Sequence, residues 1–283
     1  MELNALQAKA QAFLDLHQGP RILVLPNAWD AASARIFEEA GFPAVATTSA
    51  GVANSLGYPD GQRIPRSEML DVVGKIARTV SVPVSADMEA GYASTPKGVA
   101  ETARAVIAAG AIGMNFEDGT GIRDRPLEAL DLQVEKIRAI REAANSLGVH
   151  LVLNARTDVY LAQAGEPSTQ ADEAIRRANA YRQAGADCLF IPGVADAETI
   201  AMLAHEIHGP INILAGPSTP PALELERLGV ARMSTGSGPM RATMTLVRRI
   251  ARDLRETGRI KSFIQGSITH TEANRLFETA GDK

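Results

Sequence analysis

A single cysteine, Cys188, stands in the 283-residue sequence. One thiol can neither close an intramolecular disulfide nor build a thiolate zinc cluster, so a secreted disulfide scaffold is excluded and a reducing cytoplasm is the expected compartment. Aromatic residues make up 4% of the chain. No window approaches the roughly 18 uncharged apolar residues of a membrane span, so none is expected. The first twenty residues, with Lys9, Asp15 and His17, lack the unbroken apolar stretch of a signal peptide and read as a short amphipathic helix. An excess of positive charge is missing too: 29 Lys and Arg face 33 Asp and Glu, for a net charge of -4. With no basic patch to neutralise phosphates, nucleic acid is not an expected partner. No proline- or serine-rich linker divides the chain, which reads as one domain over 1–283. Its 45% hydrophobic content suffices for a sizeable core.

What the sequence does have is a recurring punctuation, helical text ending in glycine and followed at once by a short apolar run. It occurs at Gly41, Gly110, Gly148, Gly185, Gly209 and Gly229. Glycine just past a helix end takes the left-handed cap conformation without a Cβ penalty, and the apolar run after it reads as a buried strand. Adding RILVLPNAWD and VSVPVSADMEAG gives eight strands, near 21–26, 43–48, 82–87, 111–116, 149–155, 187–191, 210–214 and 230–235. Helix starts are marked by Thr95-Pro96 and by the capping-box spacings Thr169/Asp172 and Thr269/Glu272. Val99, Ala103 and Val106 fall on one helical face. Strands alternating with helices imply parallel pairing, and eight such units predict an α/β fold of the (β/α)8 TIM-barrel type over about 20–245. The rival open doubly wound sheet would carry a glycine-rich turn after its first strand, where this chain has Pro26-Asn27-Ala28-Trp29-Asp30. A C-terminal helical extension, 259–283, carries the apolar stripe Ala273, Leu276 and Phe277, to be covered by the chain's own barrel or by a partner subunit. The Leu/Met/Ala stripes of the other helices read as core.

In such a barrel the active site lies where the strands end. The third strand runs into Asp87-Met88-Glu89, two carboxylates expected to point the same way from extended backbone. The fourth ends in Asn115-Phe116-Glu117-Asp118 and the fifth in Asn154-Ala155-Arg156-Thr157-Asp158. Asp87, Glu89 and Glu117 should lie close together. All-oxygen ligation without cysteine or histidine selects a hard ion, Mg²⁺ or Mn²⁺. Arg156 is suited to grip a carboxylate. The second strand ends in Thr47-Thr48-Ser49-Ala50-Gly51, whose small residues let a ligand approach the backbone, and opens a long loop that could serve as a lid carrying Asp60. Gly236-Ser237-Gly238 precedes a helix, the usual phosphate position in such barrels. His150 falls on the opposite face, and Cys188 inside DCLFI reads as a core thiol.

The ordered motifs PNAWDAASARIFEEAGF, TTSAG, LGYPDG, SADMEAGY, NFEDG, ARTD and AGAD resemble the isocitrate lyase/phosphoenolpyruvate mutase superfamily over roughly 20–245. The resemblance implies a Mg²⁺-dependent barrel making or breaking C–C or P–C bonds beside a 2-oxo or 2-hydroxy acid through an enolpyruvate-like intermediate. It implies a homo-oligomer, a tetramer or dimer with exchanged C-terminal helices. By motif, the metal pair matches Asp87 and Glu89, the strand-four glutamate Glu117, the strand-five arginine Arg156, the substrate-binding turn Ser49, Ala50 and Gly51, and the lid aspartate Asp60. The departures are equally specific. The lyases' cysteine-bearing KKCGH-like loop is replaced by Asp118–Arg125, without cysteine, lysine or histidine. Their Asn-x-Thr-Glu motif survives only as Asn212, a candidate substrate contact, in Asn212-Ile213-Leu214-Ala215. Their strand-six glutamate is missing, and so is the lysine that the phosphonate mutases place beside the strand-four glutamate. The expected activity is therefore lyase or decarboxylase action on a small 2-oxo or 2-hydroxy carboxylate rather than a tricarboxylate, with Asp60, Tyr58, Arg123 or water as proton donor. P–C bond chemistry and a non-catalytic 2-oxo acid binding protein are the alternatives.

Overall fold

The computed structural model describes residues 3–278. The chain opens with α1 (Leu3–Leu16) and continues β1 (Leu23–Leu25), β2 (Asn27–Ala28), α2 (Ala31–Glu39), β3 (Val45–Thr47), α3 (Ser49–Ser55), α4 (Arg66–Thr79), β4 (Val84–Asp87), α5 (Pro96–Ala108) and β5 (Gly113–Glu117). A hairpin, β6 (Gly119–Ile122) and β7 (Arg125–Leu127), precedes α6 (Leu130–Ser146). Then follow β8 (Val152–Arg156), α7 (Gln170–Ala184), β9 (Cys188–Phe190), α8 (Ala197–Glu206), β10 (Ile211–Leu214), α9 (Ala222–Arg227), β11 (Arg232–Ser234), α10 (Gly238–Thr257), α11 (Lys261–Ile264) and α12 (His270–Arg275).

The main sheet is parallel throughout and runs β1-β11-β10-β9-β8-β5-β4-β3-β2. Because β1 and β2 are two pieces of one strand, this order is a ring, the eight-stranded barrel expected from the glycine-punctuated repeats. The break falls at Pro26, which has no N–H to give to a ladder. β1 pairs with β11, and β2 pairs with β3. Side chains fasten the seam: Asn27 Oδ1 accepts the amides of Thr235 and Gly236, both at 2.9 Å, while Asn27 Nδ2 donates to the Thr47 carbonyl at 2.7 Å. Five of the six punctuating glycines take positive φ; Gly209 does not, because α8 ends in extended backbone at Ile207.

Helix α1 closes the bottom of the barrel. Its Leu6, Ala10 and Phe13 are buried, and a Cβ on Gly113 would stand 2.7 Å from Phe13 Cε1 and 2.8 Å from Ser85 Oγ. Only glycine fits there. Thr95 caps α5 by accepting the Gly98 amide, and the Thr269–Glu272 capping box forms. The Thr169–Asp172 box does not form: a 3₁₀ turn over Pro167–Thr169 runs straight into α7, and the Thr169 hydroxyl donates to the Glu166 carbonyl instead.

Three further expectations are corrected. The segment after the second barrel strand is not all loop, since Ser49–Ser55 forms α3. The stretch after the fourth strand is a hairpin rather than a short loop. The apolar stripe of α10 is not core: of its residues only Met240 is buried, while Met244, Val247 and Leu254 are 49%, 62% and 43% exposed. In the C-terminal extension Leu276 is buried on its own barrel, its carbonyl accepting from Arg35 Nε at 2.7 Å, whereas Phe277 is exposed. Residues 279–283 of that extension lie outside the described residues. No described helix is long and apolar enough to cross a membrane.

Candidate active site

Strand C-termini converge on a cavity of about 240 Å³ that opens at one end of the barrel. Ser49, Ala50, Asp60, Asp87 and Arg156 line it, together with Asn27, Thr47, Ser85, Asn115, Phe190, Arg232, Ser234 and Ser237. Asp87, the last residue of β4, is held from three sides. Its amide donates to Thr47 Oγ1 at 2.8 Å, its Oδ2 accepts the Ser49 amide at 2.9 Å, and its Oδ1 accepts Asn115 Nδ2 at 2.9 Å. Asn115 is in turn fixed by Asn154 Nδ2, which donates to its Oδ1 at 2.8 Å. Thr48 caps α3, so the residues of the TTSAG turn form the first turn of a helix at the cavity wall. A Cβ on Gly51 would stand 2.5 Å from Thr48 Cγ2 and 3.0 Å from Trp29 Cβ, which is why this turn accepts no larger residue.

Glu89 departs from expectation. Strand β4 ends at Asp87, and Glu89 has φ +50, so the two carboxylates do not share one face of an extended backbone. Glu89 instead clasps the lid. Its Oε2 accepts the Gln62 amide at 2.7 Å and its Oε1 accepts the Tyr92 hydroxyl at 3.1 Å, while the Tyr92 amide donates to Gln62 Oε1 at 2.6 Å. Burial, then Asp87 and Asp60, push Glu89 up from 4.5 to about 7.

Arg156, the last residue of β8, is already held by carboxylates. Its Nη1 lies 2.7 Å from Glu117 Oε2, and its Nε and Nη2 donate to Asp158 at 2.5 and 2.9 Å. Its guanidinium lies over the Phe190 ring at 5.7 Å. Burial opposes its charge, but Glu117 and Asp158 more than offset this and hold it protonated. Burial likewise drives the Glu117 carboxyl well above its ordinary range despite Arg156. Asp60 is raised as well, by burial and by Asp87, against the opposing Gly61 amide, Arg156 and the Ser49 hydroxyl.

The donor set bears directly on a metal. Among the described residues no three carboxylate, histidine or cysteine side chains converge closely enough to hold an ion by themselves. Asp60, Asp87, Glu89 and Glu117 nonetheless repel one another, and Arg156 opposes Asp60 and Glu117. Such a site is short of positive charge and lined by oxygen. It fits a hard divalent ion held by Asp87 and otherwise by water, rather than a cage of three direct carboxylates.

The remaining candidates sort by position. Tyr58 donates its hydroxyl to Glu68 at 3.2 Å. Arg123 stands in the exposed hairpin turn, so among the residues weighed as proton donors Asp60 is the one lining the cavity. The Gly236 amide is taken by Asn27, which leaves the Gly236–Gly238 turn incomplete as a phosphate cradle. Asn212 is fully buried below the mouth and accepts from Ser234 Oγ at 3.2 Å. His150 pairs with Asp187 at 2.8 Å just before β8, away from the strand ends, and Cys188 is buried in β9, its thiol pushed up to about 12 by burial. Sequence reasoning overlooked Thr47, Asn27, Ser234 and Arg232. The available signal was the alternation of polar residues, Arg232 with Ser234, on a strand otherwise read as apolar.

Known proteins share this architecture. A crystal structure from Burkholderia cenocepacia, solved as a candidate lyase/mutase, is 39% identical with a TM-score of 0.91 and covers 98% of each chain. The 2-methylisocitrate lyase of Escherichia coli is 31% identical over 255 residues, 87% of this chain and 83% of that one. The oxaloacetate decarboxylase of Bradyrhizobium diazoefficiens is 28% identical over 293 residues, 99% of this chain and 96% of that one. The phosphoenolpyruvate phosphomutase family model matches residues 13–255. With its motifs at the ends of the barrel strands, the chain belongs to this family and so to the isocitrate lyase/phosphoenolpyruvate mutase superfamily.

Proposed function

We propose that the protein is a Mg²⁺-dependent lyase or decarboxylase that cleaves a C–C bond next to a small 2-oxo or 2-hydroxy acid. The observation that carries this reading is Asp87, fixed by Ser49, Thr47 and Asn115 in a mouth where Asp60, Glu89 and Glu117 add further negative charge. Asp87 would hold the ion, with Glu89 and Glu117 acting through water; Mn²⁺ suits the same donors. When bound there, Mg²⁺ supplies a Lewis acid for the oxygen on which charge develops as the bond breaks. The chain's own residues do the rest. The small residues Ser49, Ala50 and Gly51 let the substrate's carboxyl end approach the backbone of α3. Arg156, locked by Glu117 and Asp158, keeps a fixed positive field over the cavity. Asp60, which lines the cavity and whose carboxyl burial pushes up, would deliver the proton that the product carbon needs, the task of a general acid. The hairpin β6–β7 stands where the lyases carry their cysteine loop, and Asp60 of the lid is the carboxyl placed in the cavity to take over proton delivery.

The experiment is a pyruvate-release screen over oxaloacetate, malate derivatives and phosphonopyruvate, with and without Mg²⁺. Metal-dependent release from a C–C substrate that Asp87→Asn abolishes is the expected result; metal-dependent turnover that survives this change overturns the metal assignment. The position of Asp60 in the cavity also favours one second reading, P–C bond cleavage with Asp60 as nucleophile or base, and phosphorus NMR on phosphonopyruvate decides between the two. The exposed Met244, Val247 and Leu254 of α10 support assembly as a homo-oligomer, since they form a stripe that a second copy of the chain would cover.

A further inference from the structure

Two arginines line the cavity, and they differ in one respect. Arg156 is in contact with the carboxylates of Glu117 and Asp158. Arg232, the first residue of β11, is 2% exposed, and its Nε and Nη1 are buried with no hydrogen-bond partner. Among the described residues no carboxylate lies within ion-pair distance of it. Its register neighbour on β10 is Asn212, whose Nδ2 is likewise buried and unpartnered, as is Ser85 Oγ on the cavity wall. Asp87 acts on it only from beyond ion-pair distance, and a buried guanidinium with no carboxylate in contact is strongly unfavourable. Water can accept its hydrogen bonds but cannot neutralise it, whereas a carboxylate does both through a planar two-point contact.

We propose that Arg232, with Asn212 Nδ2 beside it, is a deep anion subsite that receives the second carboxylate of a four-carbon diacid entering from the Ser49–Asp87 end of the cavity. Continuity of the cavity supports this, since one lining includes Ser49, Asp60, Asp87 and Arg232. Size agrees as well. A volume of about 240 Å³ corresponds to about eight waters at roughly 30 Å³ each, close to the nine heavy atoms of such a diacid. The inference rests on the carboxylic-acid reading of the site and narrows it: monocarboxylates would leave Arg232 unanswered, while the mouth would still take their 2-oxo or 2-hydroxy end.

Malate and lactate share that end and differ in the second carboxylate, which makes them the probes. Calorimetry on the full-length protein should show malate binding at least tenfold weaker in Arg232→Met than in the unaltered chain, lactate binding changed less than twofold, and Arg232→Lys intermediate for malate. Equal losses for both acids, or none for either, overturn the subsite while leaving the carboxylic-acid reading intact. Bromide soaked into crystals of the unaltered protein is an independent measure, and it carries the test should Arg232→Met fail to fold. An anomalous peak beside Arg232 that malate displaces supports the subsite. A bromide that malate does not displace shows a free-ion site and refutes the substrate assignment. Ordered water alone at Arg232 refutes the anion site altogether. If neither acid binds the unaltered chain, the carboxylic-acid reading itself has failed, and with it the assignment of Arg232 to a substrate.

Discussion

The clasp formed by Glu89 makes stability depend on pH in a direction opposite to that of a paired surface carboxylate. Glu89 is pushed from 4.5 to about 7 by burial and by its acidic neighbours. The folded protein therefore binds this proton more tightly than the unfolded chain does. Below about pH 4.5 both states are protonated and the group contributes no difference. As pH rises from there through about 7, the unfolded chain releases the proton first and folding stability falls. At about 1.36 kcal/mol for each tenfold change in proton affinity, the loss amounts to about 3 kcal/mol by pH 8. Asp60 and Glu117 are raised too and add in the same direction, so the informative quantity is a difference between variants. Glu89→Gln keeps an oxygen to accept the Gln62 amide and removes the titration. Urea unfolding at pH 5, 6, 7 and 8 without divalent metal should show the unaltered protein losing about 2.5 kcal/mol more than Glu89→Gln over that range, part of the loss having occurred below pH 5. Added Mg²⁺, which answers the repulsion, should shrink the gap. Parallel pH profiles for the two proteins would refute the reasoning, since they would mean that the carboxylate is not held out of its ordinary range.

Three other outcomes follow from the geometry. Gly113→Ala drives a methyl into Phe13 and Ser85 at under 3 Å and should destabilise by about 1–3 kcal/mol, the usual range for overpacking, measured as a drop in melting temperature; an unchanged value would mean that α1 does not plug the barrel as described. Asp60→Asn should lower kcat by about 10²–10⁴, the range of a lost general acid, with Mg²⁺ affinity unchanged by calorimetry; a parallel loss of metal affinity would contradict its placement as acid. Val247→Asp on the exposed face of α10 should convert an oligomer into a monomer in sedimentation velocity while the melting profile of the barrel persists, and an unaltered sedimentation coefficient would rule out that face as the subunit contact.

The barrel was legible because buried parallel strands read as short apolar runs and because glycine marks the ends of most helices before them. Helix α3 was hidden by its composition, small residues that carry neither an apolar period nor a strong helix preference. The hairpin β6–β7 was too short and polar to show a period of two. Asp87, Ser49 and Asp60 could be found because they stand at strand ends or in the lid, where polar residues break an apolar text. Glu89 was assigned the wrong direction because spacing assumes extended backbone, and the left-handed turn after Asp87 is a tertiary event. Arg232 was passed over for a related reason: a single arginine alternating with Ser234 in an apolar run does not show which way it faces until the register with Asn212 places it inside the ring.

Asn27 gives the seam of the barrel a wider meaning. One side-chain amide joins the turn after β11 to the end of β3, and those same segments supply Ser237 and Thr47 to the cavity. Ring closure and active-site shape are therefore not separable traits in this chain. A substitution that reshaped the pocket at this seam would also loosen the cylinder, so new substrate preferences are more accessible through the lid and the hairpin, where variation leaves the ring shut.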